Sequence, residues 1–510
     1  MNAKAKRLYV LRALIPLSFL VVACGDGGGS GPPPSPPPPR FSDASLAGQY
    51  AFSMTGSELC AGVGSLFTRV GSFTADGNGN ITIGLEDINV CQGTAILEFT
   101  TGRYSIGGDG RGTLQLTNST GTTSYSIALS STAEGLIVQT DVDATASGSF
   151  QRQNTAAFSN TAIAGGYVFD FNGVDVNGSA VNPASYVGRF DADGAGSVAN
   201  GLFDSTIGGA PSGQKLFPGG AFFQLDTNGD GTRFGRGTAN IAGRPFAFYV
   251  VDATRLKFIG TDFPSALVGD AFAQENIAFT PASLNGSFAF LIGGASSSGP
   301  ISTAGRFTSD GAGNLSNIVL DENDSGSITL LPNGIVTGSY TVDANQFGGG
   351  TVTWTDTISG TFSFIFYLVS PKQAVFQEID SNIVSDGTFS AQTTTPISAV
   401  ALAGDYVLGW SAVSSAEEDY VGQLTLGSSG NLTGLVDFNE FATGRQFFDV
   451  PLSGNLALSG DGTQANTFTA NLQTNATPFH FTAYVINQNT AYLVGVDNDR
   501  VIAGPLVRQP

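Results

Sequence analysis

The chain is poor in the residues most enzymes rely on. Its 510 residues include one histidine, three cysteines, two methionines and two tryptophans, and charged residues make up only 12%, against about 25% in an ordinary domain. One imidazole and three thiols exclude a His-rich metal centre or a cysteine-ligated cluster. Lys and Arg number 21 against 41 Asp and Glu, a net charge of −20. That balance argues against nucleic acid, whose binding rests on cations neutralising phosphates. No Gly-x-Ser-x-Gly elbow occurs, and His480 is the sole base available to a Ser-His-Asp triad. It lies between Phe479 and Phe481 on the polar parity of a strand, aligned with Ser124 and Ser363, and reads as exposed and inert. What is abundant is glycine, with 69 residues, and phenylalanine, with 38; at 41% apolar residues the chain can bury cores.

Long apolar runs are missing as well. Lys4, Lys6, Arg7 and Arg12 precede an apolar stretch of residues 13–23, too short to cross about 30 Å of hydrocarbon as a helix, so it reads as an export signal. Val21-Val22-Ala23-Cys24 resembles the lipobox of bacterial lipoproteins. The resemblance implies that Cys24 becomes the acylated N-terminus and that the protein is anchored to the membrane by lipid. Gly25 after the Cys implies sorting to an outer membrane, where the cell has one. Removal of residues 1–23 takes four basic groups and no acid, leaving 17 against 41, a net charge of −24. Residues 24–45 follow as a Gly/Pro-rich tether, with prolines at 32–34 and 36–39 that favour extended polyproline II.

The rest repeats itself four times. An apolar-x-Gly-x-aromatic opening recurs at Leu46–Tyr50, Ile163–Tyr167, Leu284–Phe288 and Leu402–Tyr406, and a second block begins at Gly71, Gly188, Gly305 and Gly422. The closing block holds its spacing without insertion: Asp141/Gly148/Gln153, Asp262/Gly269/Gln274, Asp380/Gly387/Gln392 and Asp497/Gly504/Gln509. The units are 46–153, 162–274, 283–392 and 401–509. A period near 117 residues suits an independent domain rather than a solenoid repeat. The second block alternates with period two, with Phe73, Phe190, Phe307 and Leu424 on the buried parity, and Asp-Gly-Asn-Gly-type turns follow it.

Unit one predicts eight strands, at 49–55, 65–75, 80–88, 94–107, 112–118, 123–130, 135–140 and 147–153. The fold class is therefore all-β: four tandem antiparallel domains, best matched by eight-stranded up-and-down barrels, which leave no edge. The alternatives are β-sandwiches or an eight-bladed propeller with two blades per unit. The Gly-x-aromatic opening resembles that of calycins, the avidin and lipocalin group, which implies barrels that hold small ligands inside. The sixth strand is apolar on both parities in units two and three (residues 246–251 and 364–369), so neighbouring units are expected to pack there.

Cys60 and Cys91 both fall in unit one, in the connections after its first and third strands. A meander places those connections on one rim, so an exported protein should join them as a disulfide. The acidic clusters Asp321-Glu322-Asn323-Asp324 and Glu417-Glu418-Asp419 read as solvated loop charge. Asp226, Asn228 and Asp230 match the first half of a calcium loop, but position twelve is Gly237 where a bidentate Glu is needed. Strands flank that loop, which therefore reads as a plain turn; calcium is a weak candidate and no other cofactor or metal is implied. From opening Gly to second-block Gly the units span 23, 23, 19 and 18 residues, whereas the hairpin after strand two keeps its length. Varied loops on one rim of a constant scaffold point to recognition. The chain thus reads as an exported, lipid-anchored envelope protein and not an enzyme. Its role is non-catalytic binding of a small-molecule or glycan ligand, or adhesion, with rim aromatics such as Trp410 and Tyr420. The alternatives are a purely structural envelope protein or a carboxylate-based glycan hydrolase.

Overall fold

The computed structural model describes residues 41–356, 360–393, 397–458, 467–474 and 477–510. The signal, Cys24 and most of the tether lie outside them. Strands dominate, and each repeat is an antiparallel sheet wound so that its first strand pairs with its last. In barrel one the first strand Ala47–Cys60 joins the last, Ala144–Arg152, from Tyr50↔Arg152 to Glu58↔Ala144. Barrels three and four are closed, eight-stranded meanders. The fourth strand expected in unit one is broken at Thr100 into Gly93–Phe99 and Thr101–Ile106, the second of which completes the ring by pairing with both neighbours.

Barrel two departs from the expectation of full closure. Its fourth strand is replaced by a segment carrying Gly208, Gly209, Pro211, Gly213, Pro218, Gly219 and Gly220. Glycine weakens a strand and proline removes a ladder donor. The chain there forms only the two-residue pieces Ala210–Pro211 and Lys215–Leu216, both paired back on Val198–Ile207. The sheet stays open toward Phe222–Leu225, joined there by a single bridge, Ser197↔Phe222. The Phe217 ring fills the opening, packing on Phe169, Phe190 and Phe203.

The closing-block glycines explain how strands one and eight come together. A Cβ at Gly148 would lie 1.9 Å from the Ser53 carbonyl oxygen, and at Gly269, Gly387 and Gly504 1.8, 2.1 and 2.1 Å from Asp170, Leu291 and Gly409. Only glycine permits that approach. The closing Asp has a different task. Asp141, Asp380 and Asp497 accept the backbone N–H of Ser124, Ser363 and His480 at the start of strand six. In barrel two Pro245 stands there with no N–H to offer, and the Arg244 side chain pairs with Asp262 instead.

The interiors are packed solid. Tyr50 stacks on Phe73 in barrel one, Tyr167 on Phe190 in barrel two, and Phe288 on Phe307 in barrel three. Trp354 and Trp410 are among the largest fully buried side chains. Aromatic pairs add about 0.5–1.5 kcal/mol each beyond their buried area. The ligand-holding interior implied by the calycin resemblance is therefore occupied by the protein's own rings.

The four barrels form a closed ring. Ala51, Val70 and Leu85 of barrel one pack on Ala247, Tyr249 and Val251 of barrel two. Val168 and Val187 of barrel two pack on Tyr367 and Val369 of barrel three, and Ala289 and Leu291 of barrel three on Tyr484 and Ile486 of barrel four. Val407, Val421 and Val507 of barrel four return to Ala128, Leu136 and Val138 of barrel one. The doubly apolar sixth strands thus lie in seams, as their pattern predicts.

Candidate binding face

Each seam is tied by the same polar residues. The closing Gln of one barrel donates to carbonyls of the next: Gln153 to Phe234 and Val250, Gln274 to Phe347 and Leu368, Gln392 to Val485, and Gln509 to Asp109 and Leu129. At the opposite end Asn89 donates to Gly260 and Ser265, Asn323 to Gly495, Asp497 and Arg500, and Asn439 to Gln139, Asp141 and Ala144. Thr206 takes that place at the second seam, donating to Glu378. Between these tiers Tyr249, Tyr367 and Tyr484 donate to Asp87, Asp204 and Asp321 at 2.7, 2.7 and 2.8 Å. Burial pushes the Asp204 carboxyl up to about 6 and raises that of Asp321.

These contacts overturn the reading of the acidic clusters as solvated loop charge. Asp321 and Asn323 are buried on a strand, and Glu417 and Asp419 are buried likewise; Asp419 accepts the Thr145 hydroxyl across the fourth seam. Asp321 and Asn323 also recur in position. Asp87, Asp204 and Asp321 each stand sixteen residues after the second-block Gly and Asp437 fifteen, with Asn89, Thr206, Asn323 and Asn439 two further on. That spacing was the signal that could have found them.

Because neighbouring barrels meet with like ends together, the ring has two faces. One carries the chain entry near Phe41, every linker between barrels and the C-terminus. The other carries the first hairpins and the connections after strands three and seven. Cys60 and Cys91 lie on this second, far face, joined as a disulfide with Cα atoms 6.1 Å apart. The variable connections are there too, along with exposed Leu59, Val63, Val142, Val181 and Phe263.

A cleft of about 900 Å³ opens on the far face among hairpin tips of three barrels, at residues 57–64, 298–300 and 413–417, with the turn at 498–501. Barrels one and three share no seam, so the cleft lies over the middle of the ring. Arg500 lines it beside Asp499 at 3.1 Å and Glu418 at 3.9 Å, its guanidinium over the Phe479 ring. Ser57 is wholly buried in the wall, and its hydroxyl has no hydrogen-bond partner among the described residues.

The other candidates stand apart from this cleft. Trp410 and Tyr420, expected as rim aromatics, are core residues of barrel four at 0% and 3% exposure. His480 is half-exposed with Nδ1 2.6 Å from Asp497, an elaboration of the strand-capping pair described above. In the calcium half-motif Asp226 is paired with Arg236, while Asn228 and Asp230 bond each other. A five-residue helix, Asp230–Phe234, follows the loop, where a strand was expected. No cluster of three or more ligating side chains occurs among the described residues, and no described helix is long and apolar enough to cross a membrane.

Fold and faces define an all-β protein of four tandem antiparallel units, three of them closed barrels and one an open barrel. No protein-family model and no curated protein matches the sequence. Among solved structures it is similar to a Trp-176-Ala mutant of Transferrin Binding Protein B from Haemophilus parasuis, at 13% identity over 74% of this chain and 84% of that one, with a TM-score of 0.21. The isotype 1 Transferrin binding protein B from serogroup B Neisseria meningitidis is 9% identical over 91% and 76%, also with a TM-score of 0.21. Likeness at that level carries no argument about ligand or partner.

Proposed function

We propose that this protein is an exported lipoprotein, anchored through Cys24 to the cell envelope and sorted to the outer membrane, whose ring of barrels is a non-catalytic platform for recognition. One observation carries the reading: the chain enters, links and ends on one face, while the varied hairpins and the cleft occupy the other. A tether on the near face holds the far face away from the membrane. Barrels filled by their own side chains favour recognition on the hairpins over recognition inside a calyx. Strand ladders and three-tier seams keep those hairpins in fixed relation, which lowers the entropic cost of binding.

The test is an epitope inserted at Gly62 on the far face or at Glu275 in a near-face linker, with the protein bound to membrane vesicles. The reading expects antibody to reach the Gly62 tag more readily, and Cys24→Ser to release the protein from the vesicles. Equal access to both tags, or membrane retention of Cys24→Ser, overturns it.

A further inference from the structure

We infer that the strand Gly93–Phe99 of barrel one docks a second copy of this chain, held on a facing membrane, by antiparallel pairing with the same strand about a two-fold axis at Ile96. This strand overhangs its barrel. Its inner edge pairs with Asn80–Val90 without a register shift, from Gly84↔Phe99 to Val90↔Gly93. Its outer edge pairs with no described strand, because the strand that follows joins only Thr101–Ile106. Val90 and Gly93 flank a two-residue turn and so exchange ladder bonds. Alternation then points the backbone N–H and C=O of Thr94, Ile96 and Glu98 outward. Such an edge is a template for another strand.

The equivalent edges are blunted. In barrel three the chain bulges between Leu331 and Val336, taking in Pro332 and Gly334. In barrel four Asp449 takes φ +53° and turns its N–H to Asp437, with Pro451 beyond. Barrel two has only its Gly and Pro run there. Bulges, prolines and charges are what protect a sheet edge. Residues 93–99 hold neither bulge nor proline, and their one charge, Glu98, is paired with Arg233 at 3.0 Å. The Cys60–Cys91 bond staples the turn from which this strand starts, so the edge is ordered before it binds.

The occupant follows from self-complementarity. In the two-fold register Ile96, 55% exposed, meets its own copy, and each Glu98 meets Thr94 rather than another acid. Residues 24–40 are too rich in Gly and Pro to fill the edge from within the chain. Antiparallel pairing turns the second copy end for end, so the two near faces point apart. With the near-face anchoring proposed above, on which this arrangement rests, the copies belong to facing membranes.

The experiment uses the full mature chain, soluble as Cys24→Ser for sedimentation and lipidated on vesicles for clustering by turbidity. The soluble chain should form a reversible dimer that tightens between 50 and 500 mM salt, since two copies of charge −24 repel. Ile96→Lys should raise its dissociation constant at least tenfold. Leu330→Lys, the same change at the counterpart position of barrel three, should leave it within twofold. Ile96→Cys should oxidise to a covalent dimer, because hydrogen-bonded cross-strand pairs hold their Cα atoms about 5.5 Å apart. Glu98→Cys, which the register sets opposite Thr94, should not. Vesicles carrying the wild-type lipoprotein should cluster, and those carrying Ile96→Lys should stay dispersed. A chain that stays monomeric, a dimer indifferent to Ile96→Lys, or Glu98→Cys joining as readily as Ile96→Cys overturns the strand pairing. That result needs no membrane, so the epitope experiment decides the platform reading separately. An Ile96-dependent dimer whose wild-type vesicles stay dispersed overturns the facing-membrane arrangement, and with it the inference.

Discussion

Three of the four seams join barrels that the chain already links; the fourth, between barrels four and one, has no covalent connection. Gln509 should therefore control whether the ring is closed. Its amide donates to the carbonyls of Asp109 at 2.9 Å and Leu129 at 2.8 Å. The neighbouring amide bond found at the other seams, where Asn154, Glu275 and Thr393 donate to Val251, Val369 and Ile486, is impossible here because residue 510 is proline. Gln509→Ala removes two hydrogen bonds of about 1 kcal/mol net each, so the open population at this seam should rise about 30-fold. Unfolding of four coupled barrels is not two-state, so the readout must be local. A cysteine replacing Val138, 1% exposed in the fourth seam, should react with a thiol reagent about 30-fold faster in the Gln509→Ala background. A cysteine replacing Val187 in the second seam should not change. If the Val138 site is unaffected, or both sites accelerate alike, the clamp does not hold the ring.

Reducing the Cys60–Cys91 bond, which spans 31 residues, should cost barrel one about 3–4 kcal/mol in the chain-entropy model, read as amide hydrogen exchange that accelerates most in barrel one and least in barrel three, which shares no seam with it. Gly148→Ala should cost about 3 kcal/mol by denaturant titration, since its Cβ would meet the Ser53 carbonyl, whereas Gly219→Ala, with open space around it, should be within about 0.5 kcal/mol of wild type. The second seam buries Asp170 against Asp386, with Asn172 donating to Asp386 at 3.0 Å and Ser385 to Glu378 at 2.7 Å. Burial raises all three acids, Asp386 to about 6 and Glu378 to about 8, with each carboxylate's neighbours adding to the rise of Asp170 and Glu378. A raised folded-state pKa gives stability that is complete at acid pH and lost as pH climbs through those values. Melting should therefore fall between pH 5 and 9, and less steeply in Glu378→Gln; a flat profile would show that these acids do not govern the seam.

The strand meander was legible because glycine, the period-two phenylalanines and the Asx-Gly turns recur at fixed offsets. Those signals are local to one unit. Barrel two misled because closure depends on a fourth strand that the repeat motifs do not cover; its Gly and Pro run was visible as varied loop length, not as a broken sheet. The closing Asp, Gly and Gln could be seen as a rigid spacing, but their separate tasks could not. The Gly serves contact between strands one and eight, the Asp caps strand six, and the Gln reaches a different barrel. Burial of Trp410 and Asp321 was missed for a related reason. A strand's outward parity looks solvent-facing until the neighbouring barrel covers it, and its inward parity near a hairpin looks like rim.

The seams also show how a repeated protein specifies one arrangement of near-identical parts. Three seams place a Tyr hydroxyl on the recurring Asp, but barrel one carries Ala128 where its counterparts carry Tyr249, Tyr367 and Tyr484. The fourth seam replaces the ring with a cation: Arg111 reaches Asp437 at 3.4 Å and Asp449 at 2.8 Å. The first seam holds both devices, since Arg236 binds Asp87 at 2.7 Å alongside Tyr249. Barrel three has Gly349 at the Arg position and keeps only the Tyr. The first and fourth seams therefore differ from each other and from the second and third, which share the Tyr-only device. Were Arg111 replaced by Ala, Asp437 would face Ala128 as a buried carboxylate lacking its charged partner, which costs several kcal/mol. The recurring Asp thus meets a different donor set at the first and fourth seams from that at the two Tyr-only seams, while the shared Gln and Asn clamps build every seam in the same way.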